Sequence, residues 1–445
     1  MNMSLVKLED LVSLTKRRGF IYPGSSIYGG LSGTWDYGPL GVKLKDNLLS
    51  SWKDFFVDSR IDMYMVDAAI LMNKKVWQAS GHVDTFSDPL VECRNCHNRF
   101  RADKIDLKKC PICGFLDSFT DKRDFNLMFS TKIGPVENII DKENNSDDES
   151  LIYLRPETAQ GIFTNYKNII DSFYPDIPFG IAQHGKAFRN EISPRDFIFR
   201  SREFEQLEIE YFVNPDEWTE KFELWISLIK QWFSIIGLNS KNIHEHEIES
   251  SERAHYSKRT IDFEFDFPIG REELMGLAYR ADFDLSNIER LSKKSMIYKP
   301  KDGKPGFVPH VIEPSFGVER LIMAVLSSAY KIDEINGESR IYLDLPILLA
   351  PVKVVVGPLV KNNQLLVDKS KEVFELIRKD IKDVVWDDNG NIGKRYRRAD
   401  EIGTPYCVTI DFNTLEDGSV TLRERNTTKQ KRLDFKTLVD HIKNK

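Results

Sequence analysis

The spacing of apolar residues predicts a helix near the start of the chain. Leu44, Leu48, Trp52 and Phe55 recur at steps of four and three, which is the spacing of one buried helical face. A glycine-rich stretch comes before them, so a loop should lead into this helix. The apolar face would pack in the core or contact a second subunit, and the sequence leaves both interpretations open.

Residues 203–213 alternate between apolar and polar side chains, which is the period of a strand. The apolar positions are Leu207, Ile209, Tyr211 and Val213. The polar positions between them are Gln206, Glu208 and Glu210. A strand therefore places at least two carboxylates side by side on one face. On an exposed sheet they would be a solvated face, whereas inside a cleft they would bind a substrate ammonium.

Two further segments carry charge at helix starts. Residues 308–326 read as a strand, a turn and an apolar helix that begins near Gly317. Arg320 then lies in the first turn, where the helix dipole disfavours a cation unless a polyphosphate binds there. Pro156 occupies a predicted helix-start position, with Glu157 in the first turn, and both are ordinary choices there. Residues 217–236 have the spacing of a peripheral helix.

After Leu345 strands and helices alternate, which predicts a separate α/β domain of about 100 residues. The predicted strands are 352–356, 384–386, 406–412 and 420–425, and the predicted helices are 365–377 and 436–443. Two basic clusters stand out within it. The first is Lys394, Arg395, Arg397 and Arg398 around Tyr396, and the second is Lys429, Lys431 and Arg432. Basic residues around an aromatic ring suit unpaired bases, although solvated loops have similar composition.

Composition and charge narrow the class of protein only a little. The chain has 445 residues, enough for two or three domains, and no apolar run long enough to span a membrane. Its first ten residues lack an export signal, so we expect a cytoplasmic protein. The net charge of −6 means that a nucleic-acid partner would have to be held by local basic patches. An acidic stretch, residues 141–150, is predicted to be a solvated loop.

Four of the five cysteines predict a zinc site. Cys93 and Cys96 form one pair, Cys110 and Cys113 form another, and 13 residues separate the two pairs. Four reduced core cysteines would be the alternative, but the surrounding segment is too polar for a core. Since four thiolates fill a tetrahedral ion, the expected zinc is structural and leaves no open position for catalysis. Cys407 lies in an apolar strand and is predicted to be core.

Taken in order, several segments resemble the signature motifs of class II aminoacyl-tRNA synthetases in their glycyl form. Residues 29–41 and the following helix resemble motif 1, which forms the dimer interface in that family. Residues 188–191 with 202–206 resemble motif 2, and residues 317–320 resemble motif 3. Residues 155–161 and 312–315 are similar to the family's glycine-recognition segments, and residues 393–403 match its last domain. The resemblance covers nearly the whole chain.

The resemblance implies an α+β fold and a reaction. The catalytic domain, with an antiparallel sheet, would comprise residues 1–90 and 120–340. A four-cysteine zinc insertion would occupy residues 91–119, and a C-terminal α/β anticodon-binding domain residues 345–445. The implied protein is a homodimer that uses ATP and Mg²⁺ to activate glycine as glycyl-adenylate and transfers it to the 3′ end of tRNA(Gly).

The resemblance also implies roles for individual residues. The catalytic set would be Arg189 at the α-phosphate, Arg320 at the γ-phosphate and Glu157 at the glycine ammonium. ATP would contact Arg189, Asn190, Glu191, Phe199, Arg200, Ser201, Arg202, Glu203, Phe204, Glu273, Leu274, Gly317, Val318, Glu319 and Arg320. Glycine would contact Arg99, Glu157, Phe204, Glu205, Gln206, Leu207, Glu208, Glu313, Pro314, Ser315, Phe316 and Gly317. Glu273 and Glu313 would be the carboxylates nearest to Mg²⁺.

Three alternatives remain at this point. A synthetase-like nucleic-acid-binding accessory protein without catalysis would keep the scaffold but should lose the motif arginines, which are present here. A class II synthetase for threonine, proline or serine fits less well, because three acidic or hydroxyl groups are expected at the ammonium end. A cysteine-knuckle nucleic-acid-binding protein would explain only a small part of the chain.

Overall fold

A computed structural model gives the fold and describes residues 6–134, 150–254, 256–335 and 337–443. All but the last residue of the acidic stretch 141–150 lie outside the described residues, so its prediction as a loop stays a prediction.

The helices and strands follow one another along the chain in an α+β pattern. The helices are α1 (Leu8–Arg18), α2 (Pro39–Lys53), α3 (Lys74–Ala79), α4 (His82–Thr85), α5 (Ala159–Phe173), α6 (Trp218–Ile235), α7 (Phe283–Ser292), α8 (Val318–Ala329), α9 (Gln364–Asp380), α10 (Ile392–Glu401), α11 (Phe412–Asp417) and α12 (Phe435–Lys443). The first strands are β1 (Ile21–Pro23), β2 (Trp35–Tyr37), β3 (Met63–Val66), β4 (Ser87–Glu92), β5 (Arg99–Arg101), β6 (Arg123–Asn126), β7 (Ser130–Lys132), β8 (Leu151–Tyr153), β9 (Phe179–Phe188) and β10 (Glu203–Val213). The remaining strands are β11 (Ile243–Glu247), β12 (Arg259–Phe267), β13 (Gly270–Ala281), β14 (His310–Gly317), β15 (Tyr330–Ile335), β16 (Glu338–Leu343), β17 (Val354–Pro358), β18 (Val384–Trp386), β19 (Tyr406–Ile410), β20 (Ser419–Glu424) and β21 (Gln430–Asp434).

The largest sheet has seven strands in the order β11-β12-β13-β14-β10-β9-β3. All neighbouring strands are antiparallel except β3 and β9, which are parallel. The predicted antiparallel catalytic sheet is therefore confirmed, with β10 near its centre.

The two faces of β10 differ, as its alternation predicts. Leu207 and Ile209 point to a core that also contains buried residues of α2, α6 and α8, and we call this the back face. Phe212 joins a second core with α5 and α7, on what we call the front face. Glu208 and Glu210 share the front face with Phe212, because they lie four and two residues before it. Both are buried, which excludes a solvated face.

Helix α2 settles the question left open for its apolar stripe. Leu44, Leu48 and Trp52 are each at most 1% exposed and belong to the back-face core of the same chain. The helix continues into a π-helical turn, Asp54–Asp58, in which Phe56 is buried and Phe55 is only partly buried. The stripe is therefore core.

Two predicted element boundaries were wrong. Glu157 does not lie in the first turn of a helix, because α5 begins at Ala159 and is preceded by Thr158 as its N-cap. Phe412 does not end a strand but begins α11, since Asp411 and Thr414 form a capping box. By contrast, α8 begins at Val318, as the sequence of residues 308–326 predicts.

The C-terminal part of the chain forms a five-stranded sheet in the order β18-β17-β19-β20-β21. Strand β17 is parallel to both β18 and β19, and the remaining pairs are antiparallel. Helices α9 and α12 cover one face with buried apolar residues. This confirms the α/β domain. Helix α10, which carries the first basic cluster, and strand β21, which carries Lys431 and Arg432 of the second, were not predicted.

Buried ion pairs connect this domain to the β15–β16 hairpin. Asp400 on α10 accepts hydrogen bonds from Arg423 at 2.8 and 2.9 Å and from Arg340 of β16 at 3.2 Å. Asp400 is 1% exposed, so these charges are almost fully removed from water. Over the described residues, none of the helices combines the length and the apolar character needed to cross a membrane.

Candidate active site

A cavity of about 630 Å³ opens on the front face of the seven-stranded sheet. Its walls come from β10, β13, β14, the start of α8 and the segments before and after them. The predicted residues that line it are Glu157, Arg189, Glu191, Phe199, Arg200, Ser201, Phe204, Gln206, Glu208, Glu273, Leu274, Glu313, Ser315, Gly317, Glu319 and Arg320. The sheet thus brings together predicted site residues that are far apart in the sequence, from Glu157 to Arg320.

The other predicted site residues do not line this cavity. They are Arg99, Asn190, Arg202, Glu203, Glu205, Leu207, Pro314, Phe316 and Val318. Leu207, Phe316 and Val318 are fully buried in the back-face core. For Leu207 and Phe316 strand alternation requires this, because each is next to a front-face residue, whereas Val318 begins helix α8. Arg99 is 60% exposed and pairs with Glu92 at 3.0 Å. Its near neighbour Arg101 lines the cavity instead, where it pairs with Asp88 at 2.9 Å.

One end of the cavity is acidic and strongly hydrogen-bonded. Glu208 accepts from the backbone N–H of Thr158 at 2.9 Å and from the Ser315 hydroxyl at 2.7 Å. Burial and the charge of Glu157 raise the pKa of Glu208. Burial alone would also raise the pKa of Glu157, but the nearby charge of His82, 3.2 Å away, lowers it below its usual range. These carboxylates form a compact site for a small cation.

A buried network that sequence reasoning missed supports the acidic end. Arg280 donates to both oxygens of Glu313, at 3.0 and 2.9 Å, and to both oxygens of Asp284. Its guanidinium also stacks over the ring of Tyr256 at 3.7 Å. Gln160 extends the network by donating to Asp284 at 3.0 Å. An arginine inside the apolar end of β13 is a signal that could have found it, because a buried charge requires partners.

The other end of the cavity carries arginines over aromatic rings. Arg189 lies over Phe204, with 5.2 Å between its guanidinium carbon and the ring centre. Arg320 lies over Phe199 at 4.7 Å and pairs with Glu273 at 3.0 Å. The charge of Arg320 lowers the pKa of Glu273. Planar cations beside aromatic rings suit an adenine base and its phosphates. The cavity is therefore bipolar, cationic at one end and anionic at the other.

A pair of carboxyl groups near the arginines is suited to a hard cation. Burial and the charge of Glu273 raise the pKa of Asp262 to about 7, and both residues line the cavity. Oxygen ligands of this kind are what Mg²⁺ prefers. Glu313 does not fit the expected role near Mg²⁺, because Arg280 occupies both of its carboxylate oxygens.

The four-cysteine module, residues 91–119, has the geometry of a metal site. The ligand sulfurs of Cys93, Cys96, Cys110 and Cys113 all lie within 4.8 Å of one another. The Sγ atoms of Cys93 and Cys113 are 3.6 Å apart, and those of Cys96 and Cys110 are 3.7 Å apart. Tetrahedral zinc with its usual bond length to sulfur requires about 3.8 Å between sulfurs. The four sulfurs are therefore grouped as the ligands of one tetrahedral zinc ion would be.

The two basic clusters are mostly neutralised within the protein. Arg395 is buried and donates to backbone carbonyls of Pro358 and Leu359, while Arg398 pairs with Asp387 at 2.7 Å. Arg397 pairs with Glu338, and the Tyr396 hydroxyl bonds to Thr409. In the second cluster Arg432 pairs with Asp411 at 2.6 Å and Lys431 contacts His441 at 2.7 Å. These contacts satisfy most of the basic side chains within the protein, and the interpretation of the two clusters as surfaces for bases stays a prediction.

Comparison with known proteins assigns both domains. Residues 139–329 match the family model described as "tRNA synthetase class II core domain (G, H, P, S and T)". Residues 353–445 match the model described as "Anticodon binding domain". The solved structure of Giardia lamblia prolyl-tRNA synthetase in complex with prolyl-adenylate has a TM-score of 0.67 at 14% identity, over 97% of this chain and 76% of that one. Fold and site thus define a class II aminoacyl-tRNA synthetase.

Curated relatives show which family of class II aminoacyl-tRNA synthetases the chain belongs to. The glycine–tRNA ligase of Borreliella afzelii is 46% identical over 444 residues, which is 99% of this chain and 97% of that protein. Those of Thermobifida fusca and Malacoplasma penetrans are 45% and 46% identical and match at least 97% of this chain and 96% of their own length. The chain belongs to the glycine–tRNA ligase family.

Proposed function

We propose that this protein activates glycine with ATP and transfers it to the 3′ end of tRNA(Gly). The observation that carries the proposal is the bipolar cavity, with arginines and aromatic rings at one end and buried carboxylates at the other. A small zwitterion would bind with its ammonium at the acidic end and its carboxylate toward the arginines. This orientation directs the carboxylate at the phosphates of ATP.

The first step needs positioning and charge neutralisation. A carboxylate oxygen of glycine attacks the α-phosphorus of ATP, the bond to the β-phosphate oxygen breaks, and glycyl-adenylate and pyrophosphate form. In the second step the terminal ribose hydroxyl of tRNA attacks the carbonyl carbon, loses its proton and releases AMP. Arg189 would stabilise the charge at the α-phosphate, and Arg320 would hold the γ-phosphate. Neither step requires a covalent enzyme intermediate.

Selection of glycine would occur at the acidic end. Glu157, Glu208 and Ser315 would bind the ammonium, and the buried pair of Arg280 and Glu313 would close the pocket behind them. Bulky charged walls leave a larger amino acid no place for its side chain. Steric exclusion therefore suffices for the smallest amino acid, and editing of a smaller competitor is not needed.

Two metals complete the proposal. Mg²⁺ would neutralise charge on the phosphates, and Glu273 with Asp262 would hold it. Zinc on the four cysteines would be structural, because no coordination position stays open.

We propose the same division into domains as the sequence predicts, with residues 345–445 binding the anticodon. The grouping of thiols as metal ligands is consistent with a cytoplasmic location.

We further propose that the protein is a homodimer that associates through β3. This strand lies at the edge of the seven-stranded sheet, and four large apolar side chains near it are exposed. They are Ile61 at 101%, Met65 at 41%, Phe173 at 59% and Tyr174 at 68%. Phe173 lies beside Tyr64 of β3, with 5.2 Å between ring centres. An exposed strand edge with apolar residues favours self-association, and analytical ultracentrifugation of Met65→Asp would test it by yielding a monomer.

The experiment that tests the function is ATP–pyrophosphate exchange with each of the twenty amino acids. We expect exchange with glycine alone, and its loss in Arg189→Ala. Arg378→Ala, an exposed arginine on α9, is the matched control and should retain exchange. A folded protein that shows no exchange with any amino acid would support the non-catalytic accessory alternative, which the intact arginines and carboxylates disfavour.

A further inference from the structure

Behind the nucleotide end of the cavity, on the back face of β10, lies a group of charged and polar side chains. We call Tyr37, Lys45, His184, Glu205 and Glu319 the back-face cluster. Glu205 and Glu319 are 5% and 7% exposed. Four of the five do not line the cavity, and only Glu319 reaches it. Apart from Glu319, the cluster therefore lies outside the wall of the substrate cavity.

Its members join three parts of the sequence. Lys45 of α2 forms an ion pair with one oxygen of Glu205, whose other oxygen lies 2.6 Å from His184 Nε2. The backbone N–H of Glu205 donates to Glu319 at 2.9 Å. The ammonium of Lys45 also lies 4.8 Å from the ring centre of Tyr37, whose hydroxyl donates to Glu319 at 3.5 Å. Helix α2, strand β10 and helix α8 are thereby fixed to one another.

The immediate neighbours of both carboxylates face the nucleotide end of the cavity. Phe204 precedes Glu205 on β10, and Arg320 follows Glu319 in the first turn of α8. Both Phe204 and Arg320 line the cavity. Because the Glu319 carboxylate binds the peptide N–H between Phe204 and Glu205, it fixes the distance between the strand and the helix start that carry these two side chains.

Lys45 supplies positive charge to a cluster with an excess of carboxylates. Burial would raise the pKa of Glu205, but the hydrogen bonds from His184 and Lys45 lower it to about 2. Burial and the charge of Glu205 raise the pKa of Glu319 to about 7. Removing the lysine leaves the buried carboxylate of Glu205 with His184 as its remaining side-chain partner among the described residues, which favours rearrangement of the cluster.

We propose that Lys45 is a positioning residue for the ATP half of the reaction, acting through Glu205 and Glu319 on the placement of Phe204 and Arg320. The inference rests on the proposed function, because it concerns the site that binds ATP. The amino-acid end should be affected less, because Glu208 is held by Thr158 and Ser315 and Glu157 by His82 and Gln160, none of which belongs to the back-face cluster.

The test is glycine-dependent pyrophosphate exchange with each substrate varied in turn. In Lys45→Met the KM for ATP should rise about tenfold, while the KM for glycine stays within about twofold. Lys45→Arg keeps the charge and should recover most of the ATP affinity. Lys53→Met is the matched control, since Lys53 lies on the same helix with its side chain 48% exposed, and it should behave as the unchanged protein.

A second variant covers the case in which Lys45→Met does not fold. Tyr37→Phe removes only the hydroxyl that donates to Glu319, and it should raise the KM for ATP by about two- to threefold without affecting that for glycine. Equal changes in both KM values, or an unchanged KM for ATP in the folded Lys45→Met protein, would overturn the inference. Failure of the unchanged protein to exchange with glycine would instead count against the proposed function.

Discussion

Arginines are used in opposite ways in the two domains. In the catalytic domain Arg189 and Arg320 lie over aromatic rings at the edge of a cavity, with room for an anion beside them. In the C-terminal domain Arg395 and Arg423 are buried and bound to the protein's own carbonyls and carboxylates. A cluster of basic residues in a sequence therefore indicates a ligand only when the protein leaves it unsatisfied.

The largest expected effect is on exchange activity, and it tests the difference between the arginines of the two domains. Arg189→Ala should lower kcat/KM for glycine-dependent exchange about a thousandfold, because it removes a charge that acts on the transferring phosphate. The melting temperature should change little, since the Arg189 side chain makes a single hydrogen bond to the described residues, to the carbonyl of Pro156. The same assay on Arg398→Ala should show unchanged exchange, as its partner Asp387 lies in the C-terminal domain. Comparable losses in both variants would contradict the comparison.

The next effect is on stability. Asp400→Asn should lower the free energy of unfolding by about 3 kcal/mol, because it leaves Arg423 buried without a charged partner and removes one of the two carboxylates that pair with Arg340. Urea unfolding followed by circular dichroism measures the shift. The control is Asp368→Asn at an exposed position of α9, where the new amide oxygen can still accept the hydrogen bond from Gln364, and it should cost well under about 1 kcal/mol. If both cost the same, the buried pairs do not stabilise the domain.

A smaller effect concerns a carboxyl that has no function in the proposed reaction. Glu210 is fully buried on the front face of β10, and neither carboxyl oxygen has a hydrogen-bond partner among the described residues. Burial and the charge of Glu313 raise its pKa well above the usual value. As pH rises above that usual value, the unfolded chain loses this proton while the folded protein keeps it, so stability falls.

Glu210→Gln should therefore raise the free energy of unfolding by on the order of 1 to 2 kcal/mol near pH 8, and by less near pH 5. Thermal unfolding of both proteins across this range measures the difference. If the difference in the free energy of unfolding between the two proteins did not depend on pH, Glu210 would be ionised in the folded protein.

The smallest effect distinguishes two neighbouring arginines. Arg101 lines the cavity beside Asp88, whereas Arg99 is exposed and pairs with Glu92. In pyrophosphate exchange, Arg101→Ala should raise the KM for at least one of the two substrates, ATP or glycine, by about tenfold. Arg99→Ala should leave both of these KM values within about twofold. The opposite result would support the role in glycine binding that the family resemblance implies for Arg99.

The sequence predicted the sheet and the cavity better than it predicted individual contacts. Alternation along β10 correctly separated Leu207 from Glu208, because a strand has a period of two. A motif assigned as a run of consecutive residues ignores that period, which is why Glu205 and Phe316 were expected at glycine but lie on the back face. The Arg280 network was missed because its partners come from four separate segments, and spacing alone carries no information on such distant contacts.

The four-cysteine module also forms part of the substrate cavity. Its strand β5 carries Arg101, and β4, which leads into it, carries Asp88, so two residues of the cavity wall depend on how this small sheet is held. With few apolar residues of its own, the module would depend for rigidity on the zinc that we propose for its four cysteines. Loss of this zinc or oxidation of the thiols would therefore slow aminoacylation although zinc itself takes no part in the chemistry, so that the rate of charging would report on the redox state and zinc supply around the protein.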